Sequence, residues 1–134
     1  MTDIEYTLVM KREQAHEALK AVELLMRLKL NQPEEISRAI LDAMYGIDIG
    51  CDEYCNRRDA SNTYLRLAFD HLYTRPNECR KDAEWYKLYN IYQVLRYAIH
   101  NAEHPETTGV DSYEPMQLTE EVLPECYWER VTDD

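Results

Sequence analysis

Glycine and basic charge are both scarce in this chain of 134 residues, which has three glycines and 15 Lys and Arg against 26 Asp and Glu. So few glycines argue against the tight phosphate-binding turns of most nucleotide-handling enzymes. The formal net charge of −11 disfavours non-specific binding to DNA and to anionic lipid. No apolar run is long enough to cross a bilayer, so we expect no membrane-spanning segment.

Catalytic motifs are also missing. The chain has no Gly-x-Ser-x-Gly, no His-Glu-x-x-His, no glycine-rich phosphate loop and no dinucleotide fingerprint. The four histidines, His16, His71, His100 and His104, have no spacing that indicates a base with an orienting partner. We therefore expect no catalytic residues, no cofactor and no enzymatic activity.

The cysteines indicate free thiols. The opening residues, MTDIEYTL, lack the basic start and apolar stretch of a secretory signal, so we expect a reducing, cytoplasmic location. Cys51 and Cys55 are four residues apart, but no second close pair of ligands accompanies them. The sequence therefore predicts thiols and no metal site.

The charge is unevenly distributed. Residues 1–56 have a balance of −5, residues 57–97 a balance of +3, and residues 98–134 a balance of −9. The acidity is thus concentrated in the C-terminal third, while the middle could attract an anion.

The hydrophobic pattern predicts an α+β fold that is mostly helical. Ile4, Tyr6, Leu8 and Met10 alternate as in a half-buried strand, and helical spacing begins at Lys11. Asn31 as a cap and Pro33 in the first turn predict a second helix over about 33–44, with Ile36, Ala39, Ile40, Ala43 and Met44 buried.

Residues 46–60 are predicted to form a loop, because they contain two glycines and several Asp and Asn residues. A third helix would start at Asp59 or Ser61, bury Tyr64, Leu65, Ala68, Phe69 and Leu72, and end at Arg75 and Pro76. The fourth helix spans about 79–103. Residues 110–116 and 125–131 are predicted to be short extended pieces, which would pair with the N-terminal strand in a small antiparallel sheet.

We therefore expect one domain: a helical body with the N-terminal strand (1–105) and an acidic C-terminal extension packed on it (106–134).

The fourth helix has two distinct faces. Its apolar arc comprises Leu88, Ile91, Tyr92, Leu95, Ala98 and Ile99, with Trp85 at the margin. The opposite arc is rich in tyrosine and amide side chains where a solvent face would have Lys and Glu; we select as candidate binding residues Tyr86, Tyr89, Gln93, Arg96, Tyr97 and His100. Two interpretations stay open: an interaction surface, or internal packing beneath the third helix or the tail.

The acidic tail has three interpretations: a solvated surface, spaced carboxylates that imitate phosphates on a partner, or a segment folded back on the basic middle. Its candidate contact residues are Asp111, Glu114, Glu120, Glu121, Glu125 and Glu129. Tyr113, Tyr127 and Trp128 lie among these charges, so part of the tail is expected to dock.

Several scattered segments resemble a family of small tailed-bacteriophage proteins. Tyr92-Gln93-Val94-Leu95-Arg96 is similar to that family's Tyr-Gln-Val-Ile-Arg-His helix motif, with Tyr97 in place of His. LKLNQPEEI (28–36) resembles its Gln-x-Glu-Glu segment, and Val110 to Pro115 with Leu123-Pro124 resembles its ending. The resemblance implies a phage accessory protein in a bacterial cytoplasm.

These observations predict a non-catalytic protein that binds a host component and inhibits a bacterial defence system. Two other functions remain open: a sponge for a cyclic or modified nucleotide immune signal, and an acidic DNA mimic that blocks a DNA-binding host protein. The sequence leaves open whether the chain forms a homo-oligomer.

Overall fold

The computed structural model describes residues 3–46, 48–73 and 81–131. These residues form four α-helices and a short 3₁₀ helix: α1 (Arg12–Lys29), α2 (Pro33–Met44), α3 (Cys51–Leu72), α4 (Ala83–Glu103) and the 3₁₀ helix Val110–Ser112. α1 packs against both α4 and α2, and α2 packs against α3. The helices therefore follow one another across the molecule in the order α4, α1, α2, α3. None of them combines the length and apolar character that a membrane span requires.

The predicted antiparallel sheet is wrong, since the described residues contain no strand. Residues 3–11 have no regular secondary structure, and Tyr6 is 90% exposed. The alternating apolar residues give this segment one apolar face. A stable strand also needs a neighbouring strand that forms hydrogen bonds with its backbone. The expected partners were residues 110–116 and 125–131 of the C-terminal segment (residues 106–131), but residues 110–112 form the 3₁₀ helix, which packs on α4, and residues 125–131 have no regular secondary structure. The fold of the described residues is therefore helical and not α+β.

The turn between α1 and α2 depends on Asn31. This residue was expected to cap α2, but the cap position is Gln32, and Asn31 has a φ of +56°. Asparagine is among the few side chains that adopt this left-handed conformation readily. Its buried Oδ1 accepts a hydrogen bond from Arg66 Nη1 of α3 at 3.2 Å. Asn31 thus ends α1 and ties the turn to α3.

The predicted bounds of α2 are confirmed, with Pro33 in the first turn followed by Glu34 and Glu35. Its buried face differs from the predicted one, because Ile36, Ser37 and Leu41 are buried while Ile40, Ala43 and Met44 are exposed. The helix is rotated so that its narrow buried stripe meets both α1 and α3.

α3 is longer than predicted, since it begins at Cys51 and residues 51–60 are helical. Gly50 takes the cap position, Asp52 and Glu53 lie in the first turn, and Arg57 Nη2 pairs with Glu53 Oε1 at 3.0 Å. Acidic side chains at this end favour a helix through its dipole. α3 ends at Leu72, and the expected terminators Arg75 and Pro76 lie outside the described residues.

The core is small. Besides Pro33, seven apolar residues are buried in the described part of the chain: Met26, Ile36, Leu41, Phe69, Trp85, Leu95 and Ala98. The chain has an accessible surface of 10722 Å² at 16.0 kDa. A compact monomer of this mass exposes roughly 7,400 Å². Several large apolar side chains remain exposed, among them Tyr64 and Leu72 of α3, which the sequence pattern predicted to be buried together with the likewise exposed Ala68.

Candidate binding surfaces on the fourth helix and the C-terminal segment

The start of α4 is fixed by Asp82. Its Oδ1 accepts a hydrogen bond from the Trp85 amide at 2.9 Å, and its Oδ2 lies 3.1 Å from Lys29 Nζ of α1. The hydrogen bond from the Trp85 amide, together with Lys29, lowers the pKa of the Asp82 carboxyl. The cap thus joins α4 to α1 and sets which side chains of α4 face the core. Trp85, Leu95 and Ala98 are buried there, whereas Ile91, expected in the core, is exposed.

Gln93, a predicted binding residue, lies beneath the C-terminal segment and is only 4% exposed. Its Nε2 donates to the carbonyl oxygen of Met116 at 2.7 Å, and its Oε1 accepts from the Met116 amide at 2.8 Å. One side chain thereby satisfies both backbone groups of a residue 23 positions away. Gln93 anchors the segment and is not presented to solvent.

Arg96 lies in the same region, and its side chain is only 14% exposed. Its guanidinium carbon is 4.9 Å from the centre of the Tyr92 ring, and its Nε is 3.8 Å from Asp111 Oδ1. A guanidinium over an aromatic face is held by a cation–π interaction. Arg96 therefore bridges α4 and the 3₁₀ helix.

The remaining candidates on α4 are half-buried. His100 Nε2 lies 3.0 Å from the Thr107 carbonyl oxygen, so this histidine also contacts the C-terminal segment. The Tyr97 carbonyl oxygen accepts a hydrogen bond from Asn101 Nδ2 at 2.9 Å. Neither His100 nor Tyr97 is fully exposed.

Tyr86 and Tyr89 belong to an aromatic cluster around Trp85. The Tyr89 ring stacks on Trp85 with centroids 5.0 Å apart and planes 9° apart, while Tyr86 meets Trp85 edge-on at 5.1 Å. Such geometries are the favourable ones for aromatic pairs. The two tyrosines therefore cover the core tryptophan, and their half-buried rings have limited surface left for a partner.

The predicted acidic contact residues are all exposed: Asp111, Glu114, Glu120, Glu121, Glu125 and Glu129. Glu121 lies 3.7 Å from Lys87 Nζ on α4. Glu125 accepts a hydrogen bond from the Tyr127 hydroxyl at 2.8 Å, and the Tyr127 side chain is 81% exposed. Tyr113 and Trp128 are also exposed. We call this outward surface of residues 111–129 the acidic aromatic surface.

A groove between α1 and α4 was not anticipated from the sequence. It has a volume of about 340 Å³, and its lining includes His16, Arg96, His100, Glu103 and His104. His16 and Glu103 are 87 residues apart, so no local pattern joins them. The register of His100, Glu103 and His104 along α4 was the one available signal that these side chains share a helix face.

Glu103 is the electrostatic centre of this groove. It accepts a hydrogen bond from His16 Nε2 at 2.6 Å and pairs with Arg12. Burial by itself would raise the pKa of Glu103, but the hydrogen bonds and charges of His16 and Arg12 outweigh it and lower the pKa. The triad joins the start of α1 to the end of α4.

Cys51, Cys55 and Cys126 are free thiols, as predicted, while Cys79 lies outside the described residues. Cys51 and Cys55 occupy the first turns of α3, and burial raises the pKa of the Cys126 thiol. Across residues 3–46, 48–73 and 81–131, no three His, Cys, Asp or Glu side chains converge as metal ligands would.

No protein-family model matches the chain, and neither a curated protein nor a solved structure is significantly similar to it. The similarity to tailed-phage proteins therefore stays a prediction from the sequence.

Proposed function

We propose that the chain is a non-catalytic phage accessory protein, which binds a host protein in the bacterial cytoplasm and thereby inhibits a defence system. The observation that supports this proposal best is the acidic aromatic surface. The exposed rings of Tyr113, Tyr127 and Trp128 lie there among exposed carboxylates. Aromatic side chains supply contact area at low entropic cost, and the carboxylates favour a basic partner surface.

The anchoring of this surface adds support. Gln93 holds the backbone at Met116, and Lys87 pairs with Glu121, so the C-terminal segment is tied to α4 at two levels. A segment that is already ordered loses less conformational entropy on binding than a free tail. The C-terminal segment thus covers part of the α4 face that the sequence suggested as a contact surface. The side chains available to a partner there are those of the segment and not those of α4.

The test is defence inhibition with matched variants. Cells that carry individual defence systems would express the wild type, and plaque formation by a sensitive phage would be measured. We expect the wild type to restore plaques against at least one system, and the double variant Tyr127→Ala/Trp128→Ala to lose this effect. Tyr6→Ala, which removes a ring that is more exposed than either of these, in the N-terminal segment, is the control.

Charge reversal separates a basic partner from an apolar one. Glu125→Lys/Glu129→Lys should weaken inhibition, while Glu5→Lys, an exposed carboxylate of the N-terminal segment, should not. Unchanged inhibition in both the aromatic and the charge variants would exclude the acidic aromatic surface as the contact. A DNA-mimic mode would show itself as competition between the protein and DNA for the same host protein.

The groove between α1 and α4 favours a second candidate, sequestration of a nucleotide signal. Arg96, His16 and His100 line a volume that could admit a small anion, with Tyr92 beside them. Glu23, Glu103 and Asp111 line it too and oppose an anion, which is why we rank this function second. Isothermal titration with a panel of cyclic dinucleotides tests it, and heat that disappears in Arg96→Ala would support it.

A further inference from the structure

α3 begins with two cysteines on one side of the helix. Cys51 is its first residue and Cys55 follows four positions later, so the two side chains lie on the same face, one turn apart. Both are free thiols; Cys51 is exposed and Cys55 is half-buried. A dissolved oxidant therefore has access to Cys51, and a second thiol lies within one turn of it.

The spacing of the two cysteines lies within the range of a disulfide. In an α-helix, residues four apart have Cα atoms about 6 Å apart, and disulfide-bonded cysteines have Cα atoms roughly 4.4–6.8 Å apart. The Cβ atoms fit less well, since they are about 5–6 Å apart on a regular helix and a disulfide needs roughly 3.5–4.5 Å. A bond between Cys51 and Cys55 therefore requires the first turn of α3 to tighten by about 1–2 Å.

The first turn of α3 is the part of the helix that deforms most easily. The first amides of a helix have no acceptor within it. The cap residue, Gly50, has no side chain that could bind them, and the first backbone hydrogen bond runs from the Tyr54 amide to the Gly50 carbonyl oxygen at 2.9 Å. A rearrangement at Cys51 thus breaks fewer backbone hydrogen bonds than the same change in the middle of α3 would.

Tyr54, which lies between the two cysteines, connects this turn to α2. Its hydroxyl donates to Asp42 Oδ1 at 3.1 Å. Three residues later, the guanidinium carbon of Arg57 is 5.5 Å from the centre of the ring of Tyr45, which follows the end of α2. A tighter first turn would shift Tyr54 and Arg57 relative to these partners. The redox state of the two thiols is therefore linked to the contact between α2 and α3.

We propose that Cys51 and Cys55 are a redox-sensitive modification site, at which a reversible disulfide tightens the first turn of α3 and loosens its contact with α2. The oxidant is a low-molecular-weight disulfide such as glutathione disulfide. The Cys51 thiolate attacks one sulfur of that disulfide and releases a glutathione thiolate, which takes up the proton that Cys51 lost. The Cys55 thiolate then attacks the Cys51 sulfur of the mixed disulfide and releases the second glutathione, which takes up the proton from Cys55. Two protein thiols are thus oxidised, and one glutathione disulfide is reduced to two glutathione molecules.

The poor fit of the Cβ atoms makes this disulfide labile. Strained and exposed disulfides are reduced more easily than relaxed ones. We therefore expect free thiols while reduced glutathione predominates, as in a reducing cytoplasm, and the disulfide when oxidised glutathione accumulates. The site is independent of the acidic aromatic surface and of the function proposed for it.

Mass spectrometry of the full chain, equilibrated in glutathione buffers of increasing oxidised fraction, tests the site. Free thiols are alkylated before digestion with trypsin, which cleaves after Arg38 and Arg57 and so leaves both cysteines in the peptide 39–57. We expect this peptide to become two hydrogens lighter and to escape alkylation as the oxidised fraction rises, and to be alkylated again after reduction with dithiothreitol. A peptide 39–57 that stays fully alkylated, or that becomes linked to a peptide containing Cys79 or Cys126, would overturn the proposal.

The role of the second cysteine has its own test. Without Cys55 the mixed disulfide at Cys51 has no thiol to resolve it, so Cys55→Ser should carry at least about tenfold more glutathione on Cys51 than the wild type at the same glutathione ratio. Cys126→Ser removes another half-buried thiol and is the matched control; we expect its peptide 39–57 to be oxidised as in the wild type. Circular dichroism verifies that each variant folds. Equal amounts of glutathione on Cys51 in the wild type and in Cys55→Ser would overturn the pairing of the two thiols.

Hydrogen exchange tests the link to α2. In the oxidised wild type, the amides of residues 42–45 and 51–57 should exchange at least about tenfold faster than in the reduced protein, while those of α1 should not change. The double variant Cys51→Ser/Cys55→Ser, treated with the same oxidant, is the control and should show no increase. Unchanged exchange in a wild type whose peptide 39–57 is fully oxidised would overturn the loosening of the contact between α2 and α3.

Discussion

The side-chain amide of Gln93 pairs with both the carbonyl and the amide of Met116, at 2.7 and 2.8 Å. A side-chain amide matches a peptide group in its donor and acceptor, so this contact replaces the neighbouring strand that the C-terminal segment lacks. It explains how a segment without regular secondary structure beyond a 3₁₀ turn is fixed on α4.

Gln93→Leu should therefore destabilise the protein by about 1–3 kcal/mol, because the two backbone groups of Met116 lose their partner in a partly buried position. Chemical denaturation measures the free energy of unfolding, and hydrogen exchange of the Met116 amide should accelerate. Gln117→Ala, one residue further along and exposed, is the control. If Met116 exchanges at the wild-type rate in Gln93→Leu, the anchor does not hold the segment in solution.

Asn31 provides a test of the α1–α2 turn. Its left-handed φ of +56° is costly for alanine, so Asn31→Ala should lower the free energy of unfolding by about 1–2 kcal/mol. Asn31→Gly removes the strain of the left-handed backbone but also loses the hydrogen bond to Arg66. Its free energy of unfolding should therefore lie between those of the wild type and Asn31→Ala. Urea denaturation of the three proteins measures this order of stability. Asn56→Ala, at an exposed position of α3, is the control. If Asn31→Gly has a lower free energy of unfolding than Asn31→Ala, the left-handed conformation of residue 31 is not what makes Asn31 important.

The pKa of Glu103 predicts an acid-sensitive contact between α1 and α4. A carboxyl whose pKa is lower in the folded than in the unfolded protein contributes stability above its ordinary pKa of 4.5, and that stability is lost as the pH falls through the folded value. We expect Glu103→Gln to be less stable than the wild type near neutral pH, and the difference between the two to shrink below about pH 4.5. Thermal unfolding across a pH series measures it.

Glu106→Gln is the control for this pH dependence, because Glu106 is exposed and lies 3.9 Å from the exposed His104. The pKa values of Glu34 and Asp82 are also lowered, so protonation of these groups destabilises every variant in acid. The contribution of Glu103 is therefore measured as the difference in stability between Glu103→Gln and the wild type at each pH. A difference between Glu103→Gln and the wild type that stays constant with pH would show that Glu103 acts by packing alone.

Tyr89 distinguishes an internal face from a binding face on α4. Its ring stacks on buried Trp85, so Tyr89→Ala should cost about 1 kcal/mol or more of stability. Thermal unfolding beside Tyr6→Ala, a fully exposed tyrosine, measures this loss. An unchanged melting temperature in Tyr89→Ala would return Tyr89 to the set of residues free to bind a partner.

The sequence predicted the parts of this fold that local signals determine. α2 was placed correctly because Pro33, Glu34 and Glu35 mark its first turn. The predicted sheet was wrong because alternating apolar residues describe the N-terminal segment alone. A sheet also needs a second strand, and the C-terminal segment that was expected to supply it is bound to α4 instead. The start of α3 was missed because the glycines and aspartates around residue 50 suggested a loop, although Gly50 caps the helix.

The candidate site was predicted in part for the same reason. The unusual composition of the α4 face was visible, but the contact between Gln93 and Met116 spans 23 positions and leaves no periodic trace. The groove at His16 and Glu103 spans 87 positions and was missed entirely. Contacts between residues that are far apart in the chain leave no recognisable pattern in a single sequence.

The order α4, α1, α2, α3 places α4 and α3 at the two ends of a row. α3 contacts the remainder chiefly through α2, so its detachment would expose Phe69 while leaving the α1–α4 contact intact. The packing between α1 and α2 is sparser than that of α1 with α4 or of α2 with α3, so we expect α2 and α3 to open together and their amide protons to exchange with solvent before those of α1 and α4.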